Sequence, residues 1–118
     1  MNYDNENIFA KILRDEIPNN TIYEDEYNLA FYDISPSKKV HALVIPKSQF
    51  VDYTDFINNA SNEQIISFNK AILATVNKLG IAKDGYRIIS NIGINGMQEV
   101  QHLHFHILGG EKIGKLVE

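Results

Sequence analysis

The chain has 118 residues, a 44% hydrophobic share and a net charge of −4, which suits one domain with one modest core and is too apolar for a disordered chain. It has no cysteine, which removes disulfides, thiolate metal ligands and a cysteine nucleophile together. Its 11 Lys and Arg form no basic block, so a nucleic-acid backbone is not the expected partner, whereas a small anion held by one well-aimed site stays open.

Residues 1–7 are polar and acidic, without the basic start and apolar stretch of a signal peptide. Apolar runs elsewhere are far short of the ~20 residues that cross a bilayer, so a cytoplasmic protein with no membrane partner is expected. Ile8, Phe9, Ile12 and Leu13 fall at helical spacing, and Pro18 is expected to stop that helix after Ile17. Residues 21–24 and 29–32 read as two short strands around a polar turn. The stretch 33–39 is turn chemistry broken by Pro36. Residues 41–46 are apolar almost throughout and read as a central strand, with Pro46 at its end, where no further ladder donor is required.

The clearest helix runs over 61–79. Ser61 with Gln64 three residues on forms a capping box. Ile65, Phe68, Ile72, Val76 and Leu79 supply an apolar face, and Gly80 suits the terminating position. A strand over 86–91, a glycine-containing loop over 92–98 and a last strand over 102–108 follow, with Gly109 and Gly110 ending the pattern. Short polar connections favour antiparallel pairing, and the order of elements predicts an α+β domain. A second copy sharing an apolar face would help a chain of this size bury its surface.

Three of the four histidines lie within five residues, in the run His102-Leu103-His104-Phe105-His106-Ile107-Leu108. On a strand these imidazoles share one face, while Leu103, Phe105 and Ile107 enter the core on the other. One reading is a polar strand face that happens to be rich in histidine. A second is a metal site; positions i and i+4 on a strand lie ~13 Å apart at Cα, and three ligands at ~2.0–2.1 Å from one zinc ion would be strained. The third is nucleophilic catalysis. Imidazole is largely neutral near pH 7, attacks phosphorus without a strong base beside it, and here has neighbours able to orient it, bind an anion and move a proton.

The triad run resembles the histidine triad (HIT) family, specifically its Hint branch of purine nucleoside phosphoramidate hydrolases, in a bacterial-type form. Further stretches share the resemblance: Ile8-Phe9-Ala10-Lys11-Ile12 with Glu16-Ile17-Pro18, Ala30-Phe31-Tyr32-Asp33-Ile34-Ser35-Pro36, His41-Ala42-Leu43-Val44-Ile45-Pro46-Lys47, Tyr86-Arg87-Ile88-Ile89-Ser90-Asn91 and Gly96-Met97-Gln98-Glu99-Val100. The likeness runs from about 8 to 110. It implies a single HIT domain over 1–118, with tails at 1–7 and 111–118. The implied fold is an antiparallel sheet of about five strands with one long and one or two short helices, dimerising through the long helix and a sheet edge.

The implied activity is hydrolysis of the P–N bond in adenosine or guanosine phosphoramidates, without metal or other cofactor. His104 then resembles the nucleophile that carries a nucleotidyl intermediate, and His102 and His106 the flanking histidines that assist with phosphate and leaving group. Alternatives are a dinucleoside polyphosphate hydrolase of the same family and a non-catalytic nucleotide- or metal-binding adaptor.

Around the triad, Ile8, Phe9, Ile12, Ile17 and Ile34 resemble the apolar base pocket, although an amphipathic helix would bury such residues anyway. Asp33 is either the ribose acceptor that the resemblance implies or the start of an Asx-turn. The amides of Asn91 and Gln98 are placed to stabilise charge on phosphate, or they merely flank a hairpin turn tipped by Asn95 and Gly96. His41 is either a partner near the triad or a satisfied structural histidine. Glu99 stands where eukaryotic relatives carry a serine, Met97 replaces a small residue, and the short C-terminal tail lacks tryptophan.

Overall fold

The computed structural model describes residues 2–117. The elements are α1 (Ile8–Leu13), β1 (Thr21–Glu24), β2 (Asn28–Tyr32), β3 (Val40–Pro46), α2 (Tyr53–Asn59), α3 (Asn62–Leu79), β4 (Arg87–Ile89) and β5 (Phe105–Gly109). The strands form one antiparallel sheet in the order β1-β2-β3-β5-β4. The α+β class and the five-strand count expected from the sequence are what the chain adopts.

Alternation along the central strands divides the core in two. Ala30, Ala42 and Val44 face Phe56 of α2 and Phe68, Ala71, Ile72 and Val76 of α3. Their neighbours Leu29, Phe31, Leu43 and Ile45 face Phe9 and Ile12 of α1. Strand β3 is therefore buried on both sides, as its unbroken apolar run predicted. Helix α3 opens with the capping box, Ser61 accepting from Gln64 N–H while Gln64 accepts from Ser61 N–H. It closes on Gly80 at φ 70°, a left-handed position that glycine takes without a Cβ penalty.

The elements depart from the sequence reading in several places. Helix α1 ends at Leu13, not Ile17, because Asp15 turns left-handed at φ 62°. Asp15 N–H then reaches Ile12 O, and Glu16 N–H reaches Lys11 O, a Schellman closure completed before Pro18 is met. Helix α2 appears where no element was expected, started by Asp52, which accepts from Asp55 N–H at 2.8 Å.

The last strand begins at Phe105 rather than His102. Upstream of it the backbone is satisfied outside the ladder: Leu103 N–H donates to Phe50 O at 2.8 Å, and His104 O accepts from the Ser90 hydroxyl at 3.0 Å. That hydroxyl lies just past β4, which stops at Ile89 rather than reaching Asn91. Side-chain alternation nevertheless survives. Leu103, Phe105 and Ile107 pack with α3, and the His102 and His104 rings lie against Phe9 of α1.

Between β4 and the triad, Met97 N–H closes on Ile94 O and Gln98 N–H on Gly93 O, which places Asn95 and Gly96 at the tip of a turn. A Cβ on Gly96 would lie 2.4 Å from Ile92 O, so only glycine fits. The segment before α1 is docked rather than loose. Arg14 Nη1 donates to Asn5 O at 2.8 Å and Gln49 Nε2 to Asn5 Oδ1 at 2.7 Å. The far end is held by Arg87, whose guanidinium donates to Gly114 O and Lys115 O. Among the described residues no helix is long and apolar enough to cross a membrane.

Candidate active site

On the α1 face the sheet leaves a cavity of about 910 Å³. Its lining includes the apolar Ile8, Phe9, Ile12, Ile17 and Ile34 and the polar Asp33, His41, Asn91, His104 and His106. Residues separated by almost a hundred positions thus meet because β2, β3 and β5 are adjacent and α1 lies across them.

The hydrogen bonds fix where the ring protons sit. His104 Nδ1 lies 2.8 Å from His102 O; a carbonyl only accepts, so Nδ1 carries the proton and Nε2 the lone pair. The ring rests edge-on against Phe9, 5.0 Å between centroids, with His106 5.2 Å away. Burial holds the His104 imidazole below its ordinary proton affinity. A neutral, oriented imidazole with one free nitrogen results, which is the form a nucleophile requires.

His106 is joined to a second row. Ser37 N–H donates to His41 Nδ1 at 3.0 Å, so His41 holds its proton on Nε2, which lies 2.9 Å from His106 Nδ1 and 3.4 Å from Asp33 Oδ2. His106 Nδ1 therefore accepts, and its own proton sits on Nε2. Burial, with the neighbouring His104 and His41 adding repulsion, lowers the His106 pKa to about 4. Asp33 adopts the Asx-turn, Oδ1 accepting from Ser35 N–H at 2.7 Å, and the residue also borders the cavity.

Nitrogen and oxygen atoms of Asp33, His41 and His106 lie within 4.8 Å of one another. These are the residues that could hold a metal ion, a different set from the sequence triad. Yet His41 meets the others through a protonated nitrogen, and binding an ion there means stripping that proton while Ser37 occupies the opposite nitrogen. The donor set fits a hydrogen-bonded row better than a ligand cage.

Two sequence-marked residues are absent from the cavity wall. His102 is 0% exposed, with Nε2–H donating to Pro46 O at 2.8 Å and Nδ1 accepting from the Tyr3 hydroxyl. Both nitrogens are committed, so the structure corrects its expected place beside the phosphate. Gln98 is likewise spent on the backbone: its amide donates to Val51 O at 2.7 Å and Val100 O at 3.0 Å and accepts from Gly93 N–H. It staples the loop instead of facing a ligand. Met97 and Glu99 from the same loop reach the cavity, as do Asn19, Asn20, Ser35 and Ser37. The polar turn at 33–39 was the sole sequence signal for the two serines, and nothing local marked the two asparagines.

The HIT domain family matches residues 14–113. An uncharacterised HIT-like protein of Rickettsia prowazekii is 47% identical over 115 residues, 98% of this chain and 96% of the relative. A purine nucleoside phosphoramidase of Escherichia coli is 41% identical over 113 residues, 95% of this chain and 93% of the relative. Among solved structures, a HIT family hydrolase from Clostridium thermocellum superposes with a TM-score of 0.86 at 40% identity, covering 96% of this chain and 97% of that one.

Proposed function

Because the chain belongs to the HIT domain family, we propose that it hydrolyses purine nucleoside phosphoramidates, the AMP and GMP conjugates of amines, with His104 as nucleophile. The nucleoside lies in the apolar part of the cavity beside Phe9 and Ile12, with a ribose hydroxyl donating to Asp33. The phosphate sits between His104 and the Nε2–H of His106, with Asn91 as a further donor.

His104 Nε2 attacks phosphorus, forming an N–P bond as the P–N bond to the substrate amine breaks. The amine takes a proton from solvent onto its nitrogen and leaves with the bonding pair. The His104 ring is cationic at that stage, and the His102 carbonyl on its Nδ1–H offsets the new charge. Water then attacks phosphorus and releases the nucleoside monophosphate, regenerating neutral His104 and returning a proton to solvent. No step calls on a cofactor. The reading treats residues 1–118 as one HIT domain acting in the cytoplasm as a homodimer.

The observation that supports it most directly is the fixed tautomer of His104, whose Nδ1 is tied to His102 O at 2.8 Å, leaving one unprotonated nitrogen on a cavity-lining ring. Protein quenched during turnover of an adenosine phosphoramidate should carry a nucleotidyl mass on the peptide containing His104. Turnover with no adduct at any quench time argues for direct attack by water and defeats the proposal.

A further inference from the structure

Outside the cavity, the Tyr3 side chain makes direct contact with the triad. Its hydroxyl bonds to Nδ1 of His102, and its ring stands edge-on to that imidazole at 5.5 Å. The His102 ring is clamped on its other side by Pro46 O, and the His102 carbonyl is the atom that sets the His104 tautomer. We propose that Tyr3 is a positioning residue for the nucleophile, its hydroxyl locking the His102 ring and thereby the carbonyl on which His104 rests. The role is that of the strap formed by residues 2–7, and it rests on the assignment of His104 as nucleophile.

Three observations carry it. First, Nε2 of His102 must be the protonated nitrogen because it faces a carbonyl, so Nδ1 has to accept, and the Tyr3 hydroxyl supplies the donor. Without that hydroxyl a fully buried acceptor is left unpaired beside the nucleophile. Second, the strap is built to hold Tyr3 in place. Asn7 Nδ2 donates to Asp4 O at 2.7 Å, Glu6 N–H to Asp4 Oδ1 at 2.9 Å, Arg14 to the Asn5 carbonyl and Gln49 to the Asn5 side-chain oxygen. Third, neither member of the pair changes its proton near neutral pH. Burial raises the Tyr3 pKa above its ordinary value and lowers that of His102 to about 4, so the donor stays a donor and the acceptor an acceptor.

Tyr3→Phe keeps the edge-on ring and removes only the hydroxyl. Losing one oriented hydrogen bond should lower kcat about five- to tenfold, with KM for an adenosine phosphoramidate within about twofold because no ligand contact is lost. The ¹⁵N resonance of His102 Nδ1 should move toward the position of an unbonded acceptor. Should Tyr3→Phe fail to fold, Arg14→Ala, which removes one of the two bonds holding the strap at Asn5 while sparing the hydroxyl, should broaden or shift the same resonance.

An unmoved His102 resonance overturns the proposal, since any loss of rate would then travel through packing. So does wild-type kcat, or a change confined to KM. The adduct on wild-type His104 is scored separately. Its absence defeats the phosphoramidase reading, while a shifted His102 resonance still reports the contact itself.

Discussion

His104 donates its one ring proton to a carbonyl and keeps the other nitrogen bare, so the form required of the proposed nucleophile is set before any ligand arrives. His104→Ala should therefore remove turnover while leaving nucleotide affinity within a few-fold of wild type, because binding and chemistry draw on separable contacts. Titration calorimetry with AMP beside a turnover assay measures both, and retention of most of kcat excludes His104 as nucleophile. The same burial that keeps these rings neutral makes the fold sensitive to acid. His102 and His106 take up a proton at about 4 in the folded chain, against ~6.5 when unfolded. Between those values the unfolded chain holds more protons, so stability is complete above pH ~6.5 and falls as the pH drops toward 4, by up to roughly 3 kcal/mol for fully buried His102. Urea unfolding at pH 7 and pH 4.5 measures the loss, and equal midpoints would contradict the buried-neutral assignment.

Elements differed in how plainly the sequence announced them. The capping box and apolar spacing of α3 and the unbroken apolar run of β3 were legible because each is a local pattern tied to a single period. Helix α2 was missed because it spans seven residues with Phe56 alone buried, too short for periodicity; the Asp52 and Asp55 pair at cap spacing was the signal available. The start of β5 was misread for a different reason. Alternating side chains continue through His102 and His104, but the backbone partners there are Phe50, Ser90 and an imidazole, which no alternation rule reveals. Gln98, expected to face phosphate, is held on the backbone for the same cause, while Glu99, to which no role was assigned, reaches the cavity just beyond the turn at 94–97. That turn depends on the backbone approach at Gly96. Gly96→Ala, with its Cβ facing Ile92 O, should cost about 1–3 kcal/mol and lower kcat as the loop shifts. A melting curve matching that of the wild type would mean the approach is looser than described.

At the scale of the whole molecule, α3 covers one face of the sheet yet leaves Ile66 and Leu73, seven residues apart, 56% and 53% exposed. Tyr86, just before the edge strand β4, and Ile88 within it are exposed as well. An apolar helix surface and a sheet edge of this kind fit the homodimer that the proposed function includes. Light scattering behind a sizing column should give twice the 13.4 kDa chain mass for the wild type and once that mass for Leu73→Glu. A wild-type monomer at micromolar concentration would remove the dimer from the proposal.

Phe9 leans on the rings of both His102 and His104 and also borders the cavity. One aromatic side chain is thus shared between the cavity wall and the backing of the proposed nucleophile. On the proposed mechanism, trimming this ring to admit a bulkier guest would also loosen the nucleophile, so selectivity and speed would shift together rather than apart.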